Sequence, residues 1–180
     1  MNITLTNATE KEYKEIKPLF LSAFPPEERP PFFIVKKRAK KGTAEMLVAR
    51  DGEKFVGFVY LVSNDKLAYL FFLAIKEDCR QSGYGSAVLK KLSEMCRGKR
   101  LFLAREELDE RADNYEERVK RHAFYLKNGF ADLGSKLKEA SVVYDVMGIG
   151  GDVLPEEYDE LISRWCGKIA RKFIDMRIIK

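Results

Sequence analysis

Leu67-Ala68-Tyr69-Leu70-Phe71-Phe72-Leu73-Ala74-Ile75, followed after Lys76 to Cys79 by Arg80-Gln81-Ser82-Gly83-Tyr84-Gly85-Ser86, is the stretch on which the fold turns. The first segment is nearly all apolar, as in a strand covered on both faces and therefore central in its sheet. From Tyr84 the period changes. Val88, Leu89, Leu92, Met95 and Cys96 follow a 3.6-residue repeat, which predicts a helix ended by Gly98. Leu101-Phe102-Leu103-Ala104 then reads as another buried strand. Strand, glycine-bearing loop, helix and strand make a crossover unit with a parallel strand pair.

The loop in that unit has a chemical reading. Gly83 and Gly85 let backbone pass close to a ligand without interference from a β-carbon. The N–H groups of the first helical turn point into the same space, where the helix dipole favours anions. Arg80 adds positive charge at the rim. The spacing is not that of a P-loop, and no third glycine stands at the dinucleotide-binding position. A plain helix start is the alternative reading.

Upstream, Ile3 and Leu5 alternate as in a short strand. Thr9 and Glu12 form a capping box for a helix carrying Tyr13, Ile16, Leu19, Phe20 and Ala23. Pro25 and Pro26 end it near Phe24. A second short helix is predicted from Phe32 to Lys41, stopped by Gly42. Ala44–Arg50 and Lys54–Ser63 read as a hairpin about Asp51-Gly52. Downstream, a polar loop from Glu106 to Asn114 leads to a helix over Glu116–Lys127, closed by Asn128-Gly129. Phe130–Leu133 and Ala140–Met147 complete the pattern as an antiparallel pair. The expectation is an α+β domain over residues 1–150 with a mixed, mostly antiparallel central sheet. Residues 151–180 read as an amphipathic helical appendage, with Leu154, Tyr158, Leu161, Ile162, Trp165, Ile169, Phe173 and Met176 on one face. It would dock on the domain or, in a homodimer, on a second copy.

Composition narrows the classes. The 180 residues are 46% hydrophobic and 34% charged, a globular balance. No apolar run could span a bilayer and no signal-peptide pattern opens the chain, so a cytoplasmic protein without a membrane partner is expected. Cys79, Cys96 and Cys166 lie far apart and His122 is the one histidine, which argues against a zinc site and against a Ser-His-Asp arrangement. The formal charge of +5 suits an anionic ligand but does not diagnose a nucleic-acid binder, and none is expected. The basic run Lys36, Lys37, Arg38, Lys40 and Lys41 reads as a solvated helix face or a phosphate contact.

R-x-x-G-x-G after Phe71-Phe72-Leu73-Ala74-Ile75, together with Phe124-Tyr125-Leu126-Lys127-Asn128-Gly129-Phe130, resembles the GNAT acetyltransferases, and the order of elements over residues 1–147 is similar to theirs. The resemblance implies a three-layer fold with helices on both faces of the sheet, acetyl-CoA as acyl donor, no metal, and an amine acceptor that is a small molecule or a peptide. Backbone groups of Leu73, Ala74 and Ile75 would pair with the pantetheine arm. Arg80 and the amides of Gln81, Ser82, Gly83, Tyr84, Gly85 and Ser86 would hold the pyrophosphate. Tyr125 would protonate the departing thiolate, although it also fits as an aromatic core residue of its helix. Glu106 is the candidate general base, or equally a solvated carboxylate in an acidic loop, with Glu27 and Glu28 as second candidates. Where many family members carry an asparagine, seven residues before the tyrosine, this chain has Arg118, so Asn114 would take the pantetheine contact instead. The activity implied is direct transfer of the acetyl group to a primary amine in a ternary complex. The alternative is a GNAT-fold module that binds CoA without catalysis.

Overall fold

The computed structural model describes residues 1–26, 29–140, 142–171 and 174–179. Among these the strands are β1 (Ile3–Asn7), β2 (Glu45–Asp51), β3 (Lys54–Ser63), β4 (Leu67–Ile75), β5 (Arg100–Glu106), β6 (Ala131–Glu139), β7 (Val142–Ile149) and β8 (Met176–Ile179). The helices are α1 (Tyr13–Ala23), α2 (Phe32–Lys40), α3 (Tyr84–Met95), α4 (Tyr115–Lys127), α5 (Pro155–Cys166) and the single turn α6 (Lys168–Arg171). The strands form one mixed sheet in the order β1-β2-β3-β4-β5-β7-β6-β8. β4 and β5 run parallel, as the crossover requires, with Leu67, Ala68 and Tyr69 opposite Arg100, Leu101 and Phe102. The registers of β1 on β2, β2 on β3, β5 on β7, β7 on β6 and β6 on β8 are antiparallel. The expected α+β class holds.

The chain divides into two compact units. The first takes residues 1–62 and 70–97. Its core is aromatic: Phe20 of α1 meets the Phe72 ring edge-on at 5.2 Å, and Phe58 of β3 at 6.2 Å. Such pairs contribute about 0.5–1.5 kcal/mol each beyond the area they bury. The capping box is half formed, since the Thr9 N–H donates to the Glu12 carboxylate at 2.8 Å and the Thr9 hydroxyl donates to it as well.

The second unit takes residues 63–69 and 98–180. Tyr69 and Phe102 stack at 4.7 Å with their planes 4° apart, and Tyr158 of α5 stands edge-on to both. Two expectations are corrected here. The strand read as ending at Leu133 continues to Glu139 across a register shift between Asp132 and Lys136, where Gly134 takes φ +68°. A bulge absorbs the Gly-Ser that looked like a strand end. The tail is not one helix: Gly167 ends α5, and the single turn α6 follows. Met176 stands instead in β8, whose Met176 and Ile178 are buried while Arg177 is exposed. That is a period of two, not 3.6. Phe173 lies outside the described residues.

Candidate active site

In the first unit the glycine loop joins β4 to α3. Gln81 and Gly83 both lie in the left-handed region, at φ +60° and +83°. Left-handed residues of this kind are a feature of backbone anion nests. The first amide of the region to find an acceptor is that of Ala87, on the Gly83 carbonyl at 3.1 Å; those of Gln81 to Ser86 meet none among the described residues. The Ser82 hydroxyl bonds the Arg80 carbonyl at 3.3 Å and holds the loop closed. Arg80 is exposed, with its Nε on the Ile75 carbonyl at 3.2 Å. Within this unit Leu70–Ile75 is the terminal strand, with β3 on one side.

The loop is braced by groups that sequence reasoning missed. The Tyr84 hydroxyl donates to Asp51 Oδ2 at 3.1 Å, and the Lys54 ammonium lies 5.4 Å from the centre of the Tyr84 ring. Both partners come from the β2–β3 hairpin, and no spacing in the sequence points to it. A cleft of about 1090 Å³ opens alongside, with Lys54, Lys76 and Arg80 among its walls. In the basic run on α2, Lys36 and Lys40 both pair with Glu10, and Lys36 also covers the Tyr13 ring. Cys79, at the base of the loop, is buried and outside any disulfide, as are Cys96 and Cys166.

In the second unit the predicted residues gather on α4 and the end of β5. Tyr125 is half-buried, its ring edge-on to Phe130 at 5.6 Å and tilted against Phe124. Its hydroxyl has no hydrogen-bond partner among the described residues. Burial pushes the phenol above its ordinary range, and the Arg121 charge acts in the opposite sense. The proton therefore stays on the oxygen at neutral pH.

Glu106 is not a solvated loop carboxylate. Its side chain is 13% exposed, with Oε1 held by Arg118 at 3.0 Å and by the Asn114 amide at 3.2 Å. Arg121 holds Oε2 at 2.8 Å. Asn114 is also spent on its other end, where its oxygen accepts from Arg118 Nε at 2.7 Å. Structure thus brings Glu106 and Asn114 together, in a closed polar cluster. The signal for it was present as the spacing of Asn114, Arg118, Arg121 and Tyr125, which is four, three and four residues, one face of a helix. His122 bonds Asp132 at 2.8 Å, and Asp132 also accepts from Arg105. Glu27 and Glu28 lie outside the described residues. Among the described residues no His, Cys, Asp and Glu side chains are grouped so as to hold a metal ion.

A family model described as acetyltransferase (GNAT) family matches residues 10–130. No curated protein matches the chain. Among solved structures, a protein assigned to the GNAT acetyltransferases from Bacteroides thetaiotaomicron superposes with a TM-score of 0.71 at 23% identity, covering 93% of this chain and 98% of its own. An aminoglycoside 6'-N-acetyltransferase complexed with coenzyme A gives 0.63 at 18% identity, over 86% and 99%. Naa50 of Arabidopsis thaliana, in complex with the bisubstrate analogue CoA-Ac-MVNAL, gives 0.60 at 19% identity, over 83% and 99%. At these identities the likeness is one of fold.

Proposed function

This chain belongs to the GNAT acetyltransferase family, and we propose that it transfers an acetyl group from acetyl-CoA to a primary amine by direct attack. The observation that carries the proposal is the set of unengaged N–H groups from Gln81 to Ser86 at the start of α3, beside Arg80. Such a cradle suits a pyrophosphate, because the amides and the helix dipole both favour negative charge. Acetyl-CoA supplies, when bound, an acyl group activated as a thioester. Leu73, Ala74 and Ile75 would meet the pantetheine amides as a neighbouring strand would. Tyr125 would give its proton to the leaving sulfur. A phenol near pKa 10 is a weak acid, but a thiolate whose conjugate acid is near 8.5 needs only a donor in place as the bond breaks.

Glu106 does not support the same kind of role. Both of its carboxylate oxygens already accept from guanidinium groups, so neither stands open to an incoming amine. Its engagement favours the second reading, a module that binds acetyl-CoA without turning it over. The acceptor class, a small-molecule or peptide amine, is supported by the aminoglycoside enzyme and the peptide-analogue complex among the structural neighbours. Calorimetry with acetyl-CoA and a thiol-release screen across aminoglycosides, polyamines, amino acids and peptides test the proposal. Binding with amine-dependent release is expected. Binding without release from any amine would establish the module, and absence of binding would sink both.

A further inference from the structure

Glu106 closes β5 and is gripped from one helix. Asn114, at the N-cap of α4, and Arg118 and Arg121 on it hold the carboxylate. Arg118 is fully committed, since its Nε goes to Asn114 and its remaining terminal nitrogen to the Glu107 carbonyl at 2.9 Å. Arg121 is not. It makes one bond to Glu106, its side chain is 43% exposed, and it precedes Tyr125 by one turn. Among the described residues it is the charged group that acts on the Tyr125 phenol, whose ring otherwise meets Phe124 and Phe130. From the sheet side, Arg105 donates to the Glu106 carbonyl, Tyr144 of β7 stands opposite Glu106 in register, and Lys136 of β6 pairs with Glu107.

We propose that Glu106 is a positioning residue: with Asn114, Arg118 and Arg121 it anchors α4 on the end of β5 and meters the positive charge that Arg121 presents to Tyr125. The inference rests on the reading of Tyr125 as the proton donor. Two arguments carry it. Removing one partner from a largely buried pair strands the other charge, so the cluster is a strong anchor against piecemeal loss. An arginine paired with a carboxylate also delivers less field to a phenol one helical turn away than an unpaired one would, because the carboxylate cancels part of it. Glu106 therefore governs the tyrosine without touching the reacting atoms.

The test reads Tyr125 directly, by NMR of the protein labelled with carbon-13 at the tyrosine ring, with Tyr125→Phe used to assign its signal. Glu106→Gln keeps the shape and removes the charge. It should move the Tyr125 titration midpoint down by about half a pH unit, while Arg121→Gln moves it up by about as much. Amide exchange in α4 should quicken roughly tenfold in Glu106→Gln. An unmoved midpoint in both variants overturns the metering, and unchanged α4 exchange overturns the anchor. Should Glu106→Gln leave both as in the native chain yet abolish the acidic limb of the thiol-release profile, Glu106 is the base and the inference fails. Neither the titration midpoint nor the α4 exchange rate needs the acceptor, so failure of the acetyl-transfer reading would show separately, as wild-type protein that releases no thiol with any amine.

Discussion

Gly57 on β3 and Ala74 on β4 approach so closely that a β-carbon on Gly57 would lie 2.2 Å from the Ala74 carbonyl oxygen and 3.1 Å from the Ile75 α-carbon. The atoms in the way are backbone, so no rotamer change relieves them. The missing side chain thus decides where the Leu73–Ile75 segment runs, which is the segment proposed to meet the pantetheine arm. Gly57→Ala is expected to cost about 1–3 kcal/mol of stability and to weaken acetyl-CoA binding. Urea denaturation and calorimetry measure the two effects. A folded variant with native affinity would remove this strand segment from donor binding.

Gly83 poses a different constraint. A β-carbon there would meet only the end of Met1 at 3.8 Å, so space is not the issue; φ at +83° is. Gly83→Ala should cost about 1–2 kcal/mol through backbone strain alone and should disturb the loop amides. Gly98 offers the control, with φ +91° and nothing within 4 Å of its own β-carbon. Gly98→Ala should lose comparable stability and keep its affinity for acetyl-CoA. Equal affinity loss in both would mean that the effect comes from general destabilisation.

How far the sequence could be read follows from where its signals lie. The apolar β4, the glycine loop and the amphipathic α3 were legible because burial and helical period act over short windows. Tyr125 was placed on its helix for the same reason. The Asp51–Tyr84 bond joins residues 33 apart, and neither residue type announces the other. Glu106 reads from sequence as a general base or, equally, as one of four clustered solvated acids; its arginine partners are 12 and 15 residues on. The β8 strand was missed because a four-residue alternation is overridden by a longer helical pattern before it. In each case the missing information is a long-range pairing.

Acid should loosen the second unit at a known bond. Arg100 holds Glu157 at 2.7 Å and keeps its carboxyl below the usual range, tying α5 to β5. A folded-state pKa below the unfolded value of about 4.3 means stability that is whole above that pH and lost as pH falls through the folded value. Glu157→Gln should therefore be less stable than the native chain at pH 7, and the gap should narrow between pH 5 and about 3. Urea midpoints at several pH values give the comparison. A gap that stays constant with pH would mean that the bond to Arg100 does not depend on the charge.

Tyr125→Phe separates chemistry from binding. The substitution removes one hydroxyl that has no hydrogen-bond partner among the described residues, so little stability should be lost with it. Acetyl-CoA affinity should also persist, because the groups proposed to hold the pyrophosphate are Arg80 and the amides from Gln81 to Ser86. Turnover is the quantity at risk, and general acid catalysis sets the scale at about a hundredfold loss or more. Burial keeps the phenol protonated, so the native chain should hold its rate into alkaline pH, until the phenol ionises above its ordinary range. The variant should show a low rate with no such alkaline decline. Steady-state kinetics by thiol release, run from neutral pH to the limit of folding, measures both. A variant with native turnover would leave the tyrosine as a core aromatic, and the leaving sulfur would then need its proton from solvent.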